Sequence, residues 1–226
     1  MALTVLQSFV DPNPTVSRIV RRSLPFAWYQ RMKAARWERG GRPIPPPSAV
    51  KNAAIRDYAR RFRVDTLVET GTFYGAMILE NADHFTRIFT VELDPDLHHR
   101  ACTLFAPFPH VTPLQGDSGE VVDDILEALD EPALFWLDAH YSGRGTAHGS
   151  LSTPIEREIE AILRHRVAGH VILVDDAHDF GRLRDYPTLD ALRERVLSIR
   201  SDRVVTVDAD IVRIHRADDP ATGDQA

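Results

Sequence analysis

Five short apolar runs punctuate the chain beyond residue 60: Asp65 to Val68, Arg87 to Val91, His110 to Leu114, Ala133 to Leu137 and His170 to Val174. Each is almost continuously apolar and ends in a polar turn, the pattern of strands covered on both faces. Amphipathic stretches of helical period lie between them, preceded by one from Ala49 to Phe62. Repeated strand and helix units of this kind predict an α/β fold with a doubly wound, mostly parallel sheet, Rossmann-like in outline. Near the end the rhythm changes. Arg203 to Val207 and Ile211 to His215 are separated only by Asp208, Ala209 and Asp210, too few residues for a crossover helix. They predict a C-terminal antiparallel β-hairpin.

Ahead of the first strand the pattern is different. Gly40 to Ser48 reads GGRPIPPPS, a stiff extended linker poor in amide donors. It divides a helical N-terminal arm, residues 1–48 with the linker, from a main domain over 49–216, and residues 217–226 read as a disordered tail. With 226 residues, 43% of them hydrophobic, one substantial core is the economical count.

Charge is unevenly placed. Residues 1–63 carry 13 Lys and Arg against 3 Asp and Glu, a balance of +10, whereas the remainder carries 14 against 30, or -16, within a total of -6. Because the arginines are spaced among apolar residues and an acidic body can neutralise them, docking of the arm on its own chain or on a second subunit is favoured over nucleic acid or a membrane surface. An arm joined by a stiff proline linker also makes a homodimer with exchanged arms an expectation, which a monomeric mass in solution would remove. No stretch reaches the roughly 18 apolar residues of a membrane span, and no leader pattern precedes the arm, so the expected location is cytoplasmic. The single cysteine, Cys102, reads as a small buried apolar residue.

Ligands of open α/β sheets bind beyond the carboxyl ends of the strands, so the residues that follow each apolar run carry the chemistry. After the first run comes Glu69-Thr-Gly-Thr-Phe-Tyr-Gly75, in which Gly71 and Gly75 let the backbone turn tightly and approach a ligand. The dinucleotide spacing Gly-x-Gly-x-x-Gly is not met. After the second run stands Glu92, 21 residues beyond Gly71, placed for a carboxylate to accept both hydroxyls of a ribose. After the third stand Asp117 and Ser118, where a carboxylate can take an adenine amino group. Together the three features describe a nucleoside pocket.

This series resembles the first three motifs of class I S-adenosylmethionine-dependent methyltransferases, and the terminal hairpin resembles the reversed last strand of that fold. The resemblance covers roughly residues 50–216. It implies that Glu69, Gly71, Thr72, Gly75, Glu92, Asp117, Ser118 and Asp138 surround S-adenosylmethionine and that a small hydroxylated molecule accepts the methyl group.

The fourth run ends in Asp138-Ala-His140-Tyr141 and the fifth in Asp175-Asp176-Ala-His178. Three carboxylates and two imidazoles on neighbouring strand ends repel or stay neutral unless a cation or a cationic ligand compensates them. A divalent metal is the obvious candidate, with Mg²⁺ favoured by oxygen ligands. The arrangement resembles metal-dependent O-methyltransferases of the catechol and macrolide-sugar types, which implies Asp138, Asp175 and Asp176 as metal ligands. His140 and His178 are the candidate bases for the acceptor proton, His140 preferred. The glycine-rich stretch Ser142 to Ser150, with Arg144 and His148, is expected to be a loop beside the acceptor, and Ser152-Thr-Pro-Ile-Glu156 to open a helix near Thr153. Two other classes fit parts of this pattern: a noncatalytic cofactor-binding module that meets a partner through its basic arm, and a metal-dependent hydrolase built on the Asp/His rim. The hydrolase would make Glu92 and Asp117 dispensable.

Overall fold

A computed structural model describes residues 24–138, 154–183 and 186–217. Two helices, α1 (Leu24–Arg39) and α2 (Ser48–Phe62), precede the sheet. Then follow β1 (Thr66–Thr70), α3 (Ala76–Asn81), β2 (Arg87–Glu92), α4 (Pro95–Phe105), β3 (Val111–Gln115), α5 (Ser118–Glu127) and β4 (Leu134–Leu137). The chain ends in α6 (Ile155–Arg164), β5 (Val171–Val174), α7 (Leu189–Ile199), β6 (Arg203–Asp208) and β7 (Ile211–Arg216).

The seven strands lie in the order β3-β2-β1-β4-β5-β7-β6. β1 to β5 are parallel, and β7 runs antiparallel to both of its neighbours. This is the doubly wound sheet with a terminal hairpin that the apolar rhythm predicts.

Alternation along each strand sends side chains to two separate cores. Val68, Phe135, Leu137, Ile172 and Val174 pack with α5, α6 and α7 on one face. Leu67, Leu134, Trp136, Val171 and Leu173 pack with α2, α3 and α4 on the other. Strands covered twice need no polar face, which is why their sequences read as apolar runs.

Several boundaries differ from the sequence expectation. β1 continues to Thr70 because the parallel ladder persists, with Glu69 opposite Thr90 and Thr70 opposite Val91. The hairpin turn has two residues, not three: Asp208 still pairs with Ile211, and Ala209 and Asp210 both take positive φ, 51° and 60°. Such a turn matches the twist of the strands, and that gain offsets the strain of a left-handed alanine. Helix α6 starts at Ile155, so Pro154 precedes its first turn, while Thr153 lies outside the described residues. Cys102 is exposed on α4, correcting its reading as a buried residue.

The described part of the arm folds back on its own chain. Trp37 is buried and its indole N–H donates to the Pro43 carbonyl at 2.6 Å. Arg42 stacks over the Trp37 ring and pairs with Asp208 on β6, and Gln30 of α1 donates to Glu80 at 3.3 Å. Trp28 stays 65% exposed. Among the described residues no helix is long and apolar enough to cross a membrane.

Helix α7 offers a local stability test. Thr188 caps it by accepting the Ala191 amide at 3.2 Å. Thr188→Ala is expected to lower unfolding stability by about 1 kcal/mol, read from urea denaturation midpoints.

Candidate functional site

The ends of β1 and β2 form one unit. The Gly71 and Thr72 amides both donate to the Val91 carbonyl at 3.0 Å, which holds the glycine loop against β2. Gly71 and Gly75 take φ of 103° and 72°, and a Cβ at Gly75 would stand 2.7 Å from the Phe105 ring. Only glycine meets both conditions at Gly75, so helix α3 starts tight against α4.

Glu92 closes this loop. Its carboxylate accepts the Phe73 amide at 2.7 Å and the Asp94 amide at 3.0 Å, and the residue is 7% exposed. Each carboxylate oxygen keeps a second lone pair. On the neighbouring strand, Gly116 donates to the Glu92 carbonyl at 3.0 Å, and Asp117 caps α5 by accepting the Gly119 amide at 3.0 Å. Asp117 therefore holds the start of its own helix as well as standing beside the Glu92 loop.

Glu69 is 2% exposed and sits under the loop rather than on its surface. Thr90 donates to it at 2.6 Å, and the Thr90 and Thr72 hydroxyls are also 2.6 Å apart. Burial pushes the Glu69 carboxyl up to about 8, with Asp138 and Glu92 adding to the rise against the Thr90 hydroxyl. Through Thr90 and Thr72 the Glu69 carboxyl is linked to the glycine loop.

On the β4 and β5 side, Asp138 donates its amide to Thr70 and Asp175 donates its amide to Leu137, each at 3.0 Å, so both stand at adjoining strand ends. Oxygens of Asp138, Asp175 and Asp176 lie within 4.8 Å of one another. Into this group reaches Lys51 from the first turn of α2. Its ammonium donates to Asp175 Oδ2 and stands 3.5 Å from Asp176 Oδ1. Burial, with Asp138 next in weight, lifts the Asp175 carboxyl to about 7 against the pull of Lys51. Burial alone would lower the Lys51 pKa, but Asp175, Asp176 and Asp138 raise it above the ordinary lysine value.

His178 follows on the same rim. Its Nδ1 lies 2.8 Å from Asp210 Oδ2, and its backbone amide donates to the other Asp210 oxygen at 2.9 Å. Asp210 belongs to the hairpin turn, so the last element of the chain orients this imidazole. His140, Arg144 and His148 lie outside the described residues.

With this geometry in hand, the comparisons are specific about architecture. The sequence matches no protein-family model and no curated protein. Solved structures do resemble it. The O-methyltransferase TomG from Streptomyces achromogenes, solved with S-adenosylmethionine, is 19% identical, with a TM-score of 0.52 over 83% of this chain and 88% of that one. An O-methyltransferase from Bacillus cereus, in complex with S-adenosylhomocysteine, is 14% identical, with a TM-score of 0.54 over 83% and 90%. A putative caffeoyl-CoA O-methyltransferase from Staphylococcus aureus gives 0.51 at 14% identity, over 83% and 92%. The chain has the class I methyltransferase fold.

Within that methyltransferase fold, four residues of the site escape a reading by motif: Lys51, Thr90, Glu158 and Asp210. Lys51 has a compositional signal, since the chain holds 25 arginines and only two lysines. Glu158 has a periodic one, because it stands on the apolar stripe of Ile155, Ile159 and Ile162. It is fully buried beside the Ser118 and Thr70 hydroxyls, and burial carries its carboxyl to about 7. Asp210 and Thr90 carry no local signal; only the fold brings them to the site.

The three rim carboxylates have the oxygen chemistry of a hard-cation site. Their convergence point, however, is already taken by an ammonium held on two of them. A divalent ion there would face the Lys51 charge directly, so these residues as arranged do not fit a metal.

Proposed function

We propose that this chain is an S-adenosylmethionine-dependent methyltransferase that methylates an oxygen of a small hydroxylated molecule. The observation that carries the reading is Glu92: a carboxylate at the end of β2, tied to the glycine loop through the Phe73 amide. A loop and acid so joined suit the methionine and ribose portions of the cofactor, with Asp117 and Ser118 toward the adenine. The O-methyltransferases of like fold, two of them solved with the methyl donor or its product, support the same assignment.

Methyl transfer is an in-line displacement at the sulfonium carbon. The acceptor oxygen forms a bond to that carbon as the carbon–sulfur bond breaks, and the hydroxyl proton must leave. In this reading the proton goes to Nε2 of His178. An Nδ1–H donated to Asp210 leaves the lone pair on Nε2, which stands 3.5 Å from Asp179 Oδ1, and both carboxylates stabilise the imidazolium that results. Asp138, Asp175 and Asp176 do not act through a metal in this reading, because the Lys51 ammonium stands among them.

The test is calorimetric titration with S-adenosylhomocysteine, followed by transfer of a labelled methyl group to a panel of phenols, sugars and hydroxy acids. Micromolar binding and label on an acceptor oxygen are the expected results. Absence of cofactor binding would end the methyltransferase reading.

A further inference from the structure

We propose that Lys51 is the resident cation of the acceptor rim, filling with its ammonium the position where Asp138, Asp175 and Asp176 converge and presenting an N–H to the acceptor oxygen. The inference deepens the methyl-transfer reading and rests on it.

Geometry comes first. The Lys51 side chain is only 17% exposed and that of Asp175 only 3%, so the pair is not one of the solvated surface contacts that contribute little. Asp176 Oδ1 is 3.5 Å away on the same side. An ammonium has three donors. Asp175 accepts from one of them and Asp176 stands 3.5 Å from the ammonium, which can also offer an N–H to an oxygen that enters the rim.

The helix that carries Lys51 is firmly placed. Next to it, Asn52 is 1% exposed, donates to Glu80 at 2.6 Å and accepts from the Asn81 amide group, which itself donates to the Met77 carbonyl at 2.9 Å. Ile55, Tyr58 and Ala59 bury the next two turns in the core. Lys51 thus projects from a fixed helix start into the rim, and the Pro-rich linker that precedes it sets where that helix begins.

Chemistry explains why the residue is lysine in a chain that otherwise uses arginine almost throughout. A compact ammonium offers a point charge that sits among oxygens much as a metal ion does, whereas a guanidinium spreads its charge over a planar fork suited to one carboxylate. Removal of the lysine would leave three carboxylates facing one another, which is the condition that attracts a divalent ion.

The experiment uses Mn²⁺ as probe. The free Mn²⁺ signal in electron paramagnetic resonance is titrated with the wild-type chain, Lys51→Met and Lys51→Met/Asp175→Asn, each saturated with S-adenosylhomocysteine. The wild type is expected to leave Mn²⁺ free, Lys51→Met to capture one ion per chain at least tenfold more tightly, and the double variant to lose that capture. One ion held by the wild type and released by Asp175→Asn would overturn the proposal. So would a folded Lys51→Met that captures none. Should that variant fail to fold by circular dichroism, Lys51→Gln takes its place, and the wild-type titration still decides. Calorimetry with S-adenosylhomocysteine alone is run on the same samples: failure there would remove the methyltransferase reading while the Mn²⁺ result still reports what occupies the rim.

Discussion

Glu92→Ala is expected to weaken S-adenosylhomocysteine binding by about a hundredfold or more in calorimetry, while the thermal transition of the unliganded protein moves far less. The carboxylate acts twice. It accepts the Phe73 and Asp94 amides, which fixes the glycine loop and the turn into α4, and in the proposed function its outer lone pairs take the ribose hydroxyls. Hydrogen bonds to a charged group contribute roughly 1.5–3 kcal/mol each, so the loss of two from the ligand alone reaches two orders of magnitude. Glu92→Gln keeps one acceptor oxygen and is expected to fall between the wild type and alanine. Equal affinity in all three proteins would remove Glu92 from the cofactor site.

Stability is expected to fall as pH rises above about 4.5, and by about 2–3 kcal/mol between pH 6.5 and 8, from linkage at roughly 1.4 kcal/mol per unit of pKa for each fully buried group. The sign follows from proton counts. Burial raises Glu69 to about 8 and Glu158 to about 7, both from 4.5, so the native state keeps protons that the unfolded chain has released. Their stabilisation is complete below pH 4.5 and is lost as pH rises through these two values; Asp175, raised to about 7, adds in the same sense.

Histidines oppose them on the acid side. Burial lowers His170 from 6.5 to about 4 and also lowers His84 and His165, so the unfolded chain binds their protons first and takes back part of the carboxyl gain as pH drops below 6.5. Urea midpoints at pH 5, 6.5 and 8 measure the profile. Glu158→Gln, neutral at every pH, is expected to flatten the alkaline limb in part, and a midpoint unchanged between pH 6.5 and 8 would mean that both glutamates are ionised in the native protein.

The fold was legible because its signals are local. Each buried strand declares itself by an apolar run, and the residue after the run arrives at the carboxyl edge whatever the packing details, as Gly71, Glu92, Asp117, Asp138 and Asp175 all do. What was not legible depends on contacts between distant segments. Lys51 meets Asp175 across 124 positions, and no pattern around either residue announces the pairing. His178 reads as a candidate base, yet its partner Asp210 lies in what reads as an ordinary hairpin turn. The two-residue turn itself was missed because a left-handed Ala209 runs against turn propensity and is accepted only where strand pairing enforces it. Glu69, which reads as a neighbour of the cofactor, is the fourth residue of β1 and only 2% exposed.

The placement of β7 between β5 and β6 also sets an order of assembly during synthesis. β6 emerges first yet has no partner until β7 follows, and Asp210 cannot steady His178 until the turn between them closes. The half of the site that would hold the methyl donor is complete in sequence by Asp138, whereas the acceptor rim draws on Lys51 far upstream and Asp210 far downstream. A nascent chain could therefore shape its donor pocket long before it could offer anything a place to be methylated.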